Sequence, residues 1–82
     1  MTTLVHRLAE ASQRIPETIA IVIENKAVSY ASLWANIVKV GRYFHQQGLK
    51  PGQRVALLME NSPEFVACYY GVIAVGGVVV PL

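Results

Sequence analysis

Apolar positions change period along this chain, and each change marks an element. Leu4, Leu8 and Ala11 recur at helical spacing behind Thr3, whose hydroxyl can cap the first free amides, so a helix is predicted from Leu4 to about Gln13. Pro16 closes it. From Ile19 to Ile23 β-branched residues dominate, and a turn-like Glu24-Asn25-Lys26 leads to a second extended stretch at Ala27-Val28. That pattern predicts a β-hairpin. Ser29 then stands as the N-cap of a long amphipathic helix in which Leu33, Ile37, Val40 and Phe44 share a face, with Gly48 as its C-cap.

Lys50-Pro51-Gly52-Gln53 reads as a β-turn, with Pro presetting its own φ and Gly free to take a positive one. The run Arg54 to Met59 has the continuous apolar character of a strand covered on both faces. Asn61-Ser62-Pro63-Glu64 starts a helix: Ser62 caps it, Pro63 fits its first position, and Glu64 complements its dipole. This helix is expected to reach about Val75, where Gly76-Gly77 ends it. Val78 to Leu82 follows as another buried strand, in which Val78→Asp should prevent folding. Strand, helix and strand of these lengths form a βαβ unit, whose two strands run parallel.

A parallel pair belongs to a larger sheet with helices on both faces. The chain offers two or three helices and stops within a strand, so it is expected to be a piece of a larger α/β domain. Its size points the same way. A chain of 82 residues and 9.0 kDa holds one core at most. Surface scaling gives it about 4,900 Å² folded against about 13,000 Å² open, so about 63% would be buried. With 54% hydrophobic and only 15% charged residues, too little polar surface is available to cover such a core, and part of the apolar surface is expected to meet a partner.

Charge and chemistry exclude several classes. The net charge of +2 comes from single, scattered residues, and a nucleic-acid footprint would need basic clusters. Every acid is Glu, which disfavours calcium loops, two-metal phosphoryl-transfer sites and paired-carboxylate hydrolases. Cys68 is alone and reads as an interior thiol of a reducing compartment. The N-terminus has no basic stretch leading into an apolar run, so no secretory leader is read and a cytoplasmic location is expected.

The uncharged run from Phe65 to Leu82 has eighteen residues, the lower limit of a membrane span. Three Gly and a Pro interrupt it and no Lys or Arg flanks its far end, so a span is not expected. Gly71 to Gly77 lacks the Lys and Ser or Thr of a phosphate loop, for Val78 and Val79 stand there. His6 and His45 fall on different helices, without acidic or thiol partners at ligand spacing, and read as surface residues. Trp34, Tyr30, Tyr43, Tyr69 and Tyr70 read as core and boundary packing.

Three stretches, in order and at fitting intervals, resemble the N-terminus of the adenylate-forming (AMP-binding) superfamily: acyl-CoA synthetases, fatty-acid ligases, luciferases and peptide-synthetase adenylation domains. They are Val28-Ser29-Tyr30-Ala31-Ser32-Leu33, then Gly48 to Ala56 running into Asn61-Ser62-Pro63-Glu64-Phe65, then Ile73 to Leu82. The resemblance covers about residues 3 to 82. Ser32 departs from the family's common Glu, which removes a capping-box partner but leaves the cap. Ala74 stands where a Lys is common and Val79 where an aromatic is, which leans toward a stand-alone acyl-activating enzyme.

The resemblance implies an α/β fold: a helix, a short β-hairpin, a long helix and a parallel βαβ unit, residues 1–82 being the N-terminal piece of a larger AMP-binding domain. The activity implied for the parent is ATP-dependent activation of a carboxylate to an acyl-adenylate, then acyl transfer to the thiol of coenzyme A or a carrier-protein arm. ATP and Mg, with CoA or phosphopantetheine, are thus cofactors implied for the parent. None is expected for this segment, where no catalytic, cofactor-binding or metal-binding residue is carried over. The expected partner is the remainder of the parent enzyme, or a second copy through exposed apolar surface. Two other readings stay open: a free-standing interaction module that pairs an open sheet edge, and a membrane-anchored peptide. Truncation, proteolysis and a shortened reading frame would each give this sequence.

Overall fold

The structure, a computed structural model, describes residues 3–81; Met1, Thr2 and Leu82, which the readings of the N-terminus and of the last strand include, lie outside them. Seven elements follow in order: α1 (Leu4–Arg14), β1 (Ile19–Ile23), β2 (Lys26–Ser29), α2 (Tyr30–Gln46), β3 (Arg54–Leu57), α3 (Pro63–Ala74) and β4 (Val78–Pro81). The mixed α/β architecture is the expected one, a hairpin and a parallel βαβ unit linked by the long helix.

Each helix starts at a hydroxyl. Thr3, Ser29 and Ser62 accept hydrogen bonds from the amides of His6, Ser32 and Phe65 at 3.1, 3.2 and 3.1 Å. These are three of the orphan donors that a helix leaves at its first turn. The Ser29 cap therefore stands although Ser32 brings no capping-box carboxylate. At the far ends, Gly48 and Gly76 take φ of +87° and +84°, the left-handed conformation in which glycine terminates a helix.

β1 and β2 pair antiparallel, Ile23 opposite Lys26, with a shift in register between Ile19 and Ile21. Lys26 is thus the first residue of β2 and not part of the turn. The two-residue loop needs only Glu24 and Asn25, at φ of +50° and +67°, as a type I′ hairpin turn requires. Ala20, Ile21 and Val28 pack on a core of Leu33, Ile37 and Ala67, together with Leu8, Trp34, Val66 and Tyr70.

β3 and β4 pair parallel, from Arg54 opposite Val78 to Leu57 opposite Pro81. The strand expected to reach Met59 ends at Leu57, leaving Leu58 79% exposed. Pro81 opposite Leu57 has no amide to extend the ladder. Neither strand is covered on both faces: Arg54 and Ala56 are exposed, and Val78 is 46% exposed. Helix α3 packs on both strands and covers one side, while among the described residues no second helical layer covers the other. The exposed Val78 also removes the basis for expecting Asp there to prevent folding.

The total accessible surface is 5707 Å². This exceeds by about 800 Å² the surface that scaling assigns to a monomer of this mass. No helix among the described residues is long and apolar enough to cross a membrane, because the run from Phe65 is divided between α3 and β4.

Candidate functional site

Two places gather the residues the sequence singled out. The first is a hollow of about 500 Å³ where the N-termini of α2 and α3 face the hairpin. Ser29, Ser32 and Asn36 reach it from α2 and its cap, Pro63 and Glu64 from α3, and Glu17 and Lys26 from around the hairpin. Ser29 and Ser32 of the first motif stretch and Pro63 and Glu64 of the second, more than thirty residues apart in sequence, therefore share one wall. The second place joins the turn to the last stretch. The amide of Gly52 donates to the carbonyl of Gly76 at 2.8 Å, and Val78 N–H donates to the Gln53 carbonyl at 2.8 Å. Gln53 Oε1 in turn accepts from the Lys50 amide at 2.8 Å, which pins the turn.

All three stretches thus meet as structure. Their polar groups are used locally: Ser29 and Ser62 cap helices, Gln53 braces its turn, and the glycine carbonyl closes a backbone bond. Among the described residues, no buried side-chain nitrogen or oxygen lacks a partner, and no group of three His, Cys or Glu is placed to hold a metal ion. Lys26 is the sole cation on the lining of the first hollow, beside the carboxylates Glu17 and Glu64. That set does not fit a polyphosphate, which needs convergent amides and cations.

Cys68 sits half-buried on α3, and burial, with the Glu64 carboxylate adding to it, pushes its thiol above the ordinary value. A raised thiol holds less of the reactive thiolate at neutral pH. His6 is a surface residue as expected, but it does have an acidic neighbour. Glu10, one helical turn on, lies 3.1 Å from its Nε2. His45 lies exposed on α2.

The aromatic residues divide. Tyr70 packs on the core, and Tyr69 meets it edge-on at 5.3 Å. Tyr43, expected in packing, is 56% exposed and touches Phe44 edge-on at 5.3 Å. Trp34 is half-buried and also lines a separate hollow of about 390 Å³ between α2 and α3, with Ile37, Val38, Gly41, Arg42, His45, Gln46, Ala74 and Val75. Sequence reasoning missed this hollow. The signal was there in Trp34, Val38, Gly41 and His45, spaced four, three and four along one helix face.

Comparison with known proteins gives a consistent set. A family model described as AMP-binding enzyme matches residues 8–82. The chain is 33% identical over 78 residues to a long-chain-fatty-acid–CoA ligase of Bacillus subtilis, covering 95% of this chain and 14% of that protein. To a crotonobetaine/carnitine–CoA ligase of Salmonella paratyphi A it is 43% identical over 54 residues, 66% of this chain and 10% of that one. A solved nonribosomal peptide synthetase, FmoA3 in an α-methyl-L-serine-AMP bound form, superimposes with a TM-score of 0.88 at 29% identity, over 96% of this chain and 9% of that one. The chain spans only a small fraction of the length of each.

Proposed function

The chain belongs to the AMP-binding enzyme family, and we propose from that membership that residues 1–82 are one N-terminal scaffold segment of an acyl-activating ligase. The parent joins a carboxylate to ATP, releasing pyrophosphate, and passes the acyl group from the adenylate to a thiol of coenzyme A or of a carrier protein, releasing AMP. The two similar ligases are named for CoA, and the similar peptide synthetase was solved with an aminoacyl-AMP bound.

The observation that carries the scaffold role is the local commitment of the motif residues. Ser29 and Ser62 hold helix starts, and Gly52 and Gly76 lock the turn to the βαβ unit. On this reading no residue of the segment contacts ATP or Mg, and the reacting groups come from the remainder of a cytoplasmic parent. That remainder covers the open side of β3 and β4. The experiment is carboxylate-dependent exchange of pyrophosphate into ATP, run on the whole parent protein and on the 82-residue chain. Exchange by the parent and none by the chain is expected. Exchange by the chain itself would overturn the scaffold role, and a parent inactive with every carboxylate class would overturn the ligase.

A second reading has its own observation. The surplus of about 800 Å² equals one partner's share of an ordinary protein interface, so the chain could be a self-associating module. Denaturing gel electrophoresis of the natural gene product, detected with an antibody to this segment, separates the two: a band several times larger than 9.0 kDa fits the ligase segment, and a band near 9.0 kDa fits the module.

A further inference from the structure

Helices α2 and α3 touch at two glycines. A β-carbon on Gly41 would lie 3.4 Å from the Gly71 carbonyl and from Cγ1 of Val75, and one on Gly71 would collide with Val40. Next to this contact lies the hollow of about 390 Å³, bounded on the α2 side by Trp34, Ile37 and Arg42 and on the α3 side by Ala74 and Val75. Its lining is chiefly apolar, with Arg42, His45 and Gln46 as the polar groups. Volume, apolar walls and a few polar groups are the ordinary attributes of a small-molecule pocket.

Charge decides what kind of molecule fits. Between Glu24 and Glu60 the chain has no acid, and five of its seven Lys and Arg fall there. No carboxylate lines the hollow, the α3 wall is uncharged, and Lys39 stands one turn from Arg42 on the same exposed face. Among the described residues the sole ion pair is that of His6 with Glu10, so Arg42 has no carboxylate on it. The partial negative charge of the α2 C-terminus is smaller than the full charge of one guanidinium.

We propose that this hollow binds a compact amphipathic anion, its apolar body against Trp34, Val38 and Val75 and its acidic head on Arg42. An alkyl phosphate has this chemistry, whether free in solution or presented as a lipid headgroup; a hollow of about 390 Å³ is on the scale of a free small molecule.

Trp34 is the chain's one tryptophan, so its indole N–H gives a single resonance that reports the hollow directly. The test titrates the 82-residue chain with hexyl phosphate, hexanol and inorganic phosphate, and with vesicles containing phosphatidic acid. A saturable shift of the indole resonance is expected with hexyl phosphate, at a Kd at least tenfold below those of the body alone and the head alone. Loss of the charge-assisted contact in Arg42→Gln should raise that Kd about tenfold. Ala74→Phe, filling the hollow from an exposed rim position, should abolish the shift. Equal binding of hexanol, unchanged affinity in Arg42→Gln, or a response to vesicles but not to hexyl phosphate would each overturn the proposal.

Discussion

A β-carbon placed on Gly71 would stand 2.6 Å from Cγ1 of Val40, 2.7 Å from its Cβ and 3.1 Å from the Ile37 carbonyl oxygen. The crossing of α2 and α3 therefore depends on an absent side chain. Replacing a mid-helix glycine by alanine ordinarily stabilises by about 1 kcal/mol. Here the collision involves a branched side chain close to the backbone, and overpacking of this kind costs about 1–3 kcal/mol. Gly71→Ala should lower the urea midpoint of unfolding; a midpoint equal to or above that of the parent sequence would mean that the helices part freely.

Gly48 and Gly76 have nearly the same backbone, φ of +87° and +84°, in different surroundings. Gly48 faces open space, whereas a β-carbon on Gly76 would meet Pro51 at 3.2 to 3.4 Å. An L-residue in the left-handed conformation costs about 1–2 kcal/mol. Gly48→Ala should show that loss alone, and Gly76→Ala should exceed it. Equal losses by chemical denaturation would show that Pro51 gives way.

Cys68 makes a prediction in pH. Burial first, and the charge of Glu64 second, raise its thiol in the folded state. A raised folded value contributes stability that is fully present below the unfolded thiol's value and is lost as pH rises through the folded one, because the unfolded chain gives up its proton first. Stability should therefore fall as pH climbs above the ordinary thiol range. Glu64→Gln should speed alkylation of Cys68 by iodoacetamide at a fixed pH of about 8; an unchanged rate would assign the shift to burial alone.

Val78 and Val72 should behave oppositely despite sharing a residue type. Val72 is fully buried, and Val72→Ala should cost about 1–3 kcal/mol in the 82-residue chain. Val78 is 46% exposed, and Val78→Asp should cost less than about 1 kcal/mol there. If the remainder of a parent protein covers the open side of the sheet, as proposed, the same Asp should prevent soluble expression of that parent. Unfolding of the short chain by Val78→Asp would mean that this face is buried even without the remainder.

The sequence by itself determined the elements and the family. Caps at Thr3, Ser29 and Ser62, glycine stops at Gly48 and Gly76, and the switch of apolar period from helix to strand are local signals, set by which backbone groups need partners and which φ a residue tolerates. The family was legible because three such stretches come in order.

Only the tertiary structure decided what covers what. The apolar run from Arg54 to Met59 reads as a strand covered on both faces, but burial is a property of the neighbour: β3 ends at Leu57 with Leu58 open beyond it, and Val78 lies open where the described chain supplies helical cover on one side only. Likewise Trp34 and Arg42 are ordinary helix positions until Gly41 meets Gly71 and a hollow is left beside the contact. Periodicity assigns a residue to a face, whereas the close approach of two helices, fixed by residues thirty positions apart, decides whether that face is core, cleft or open surface.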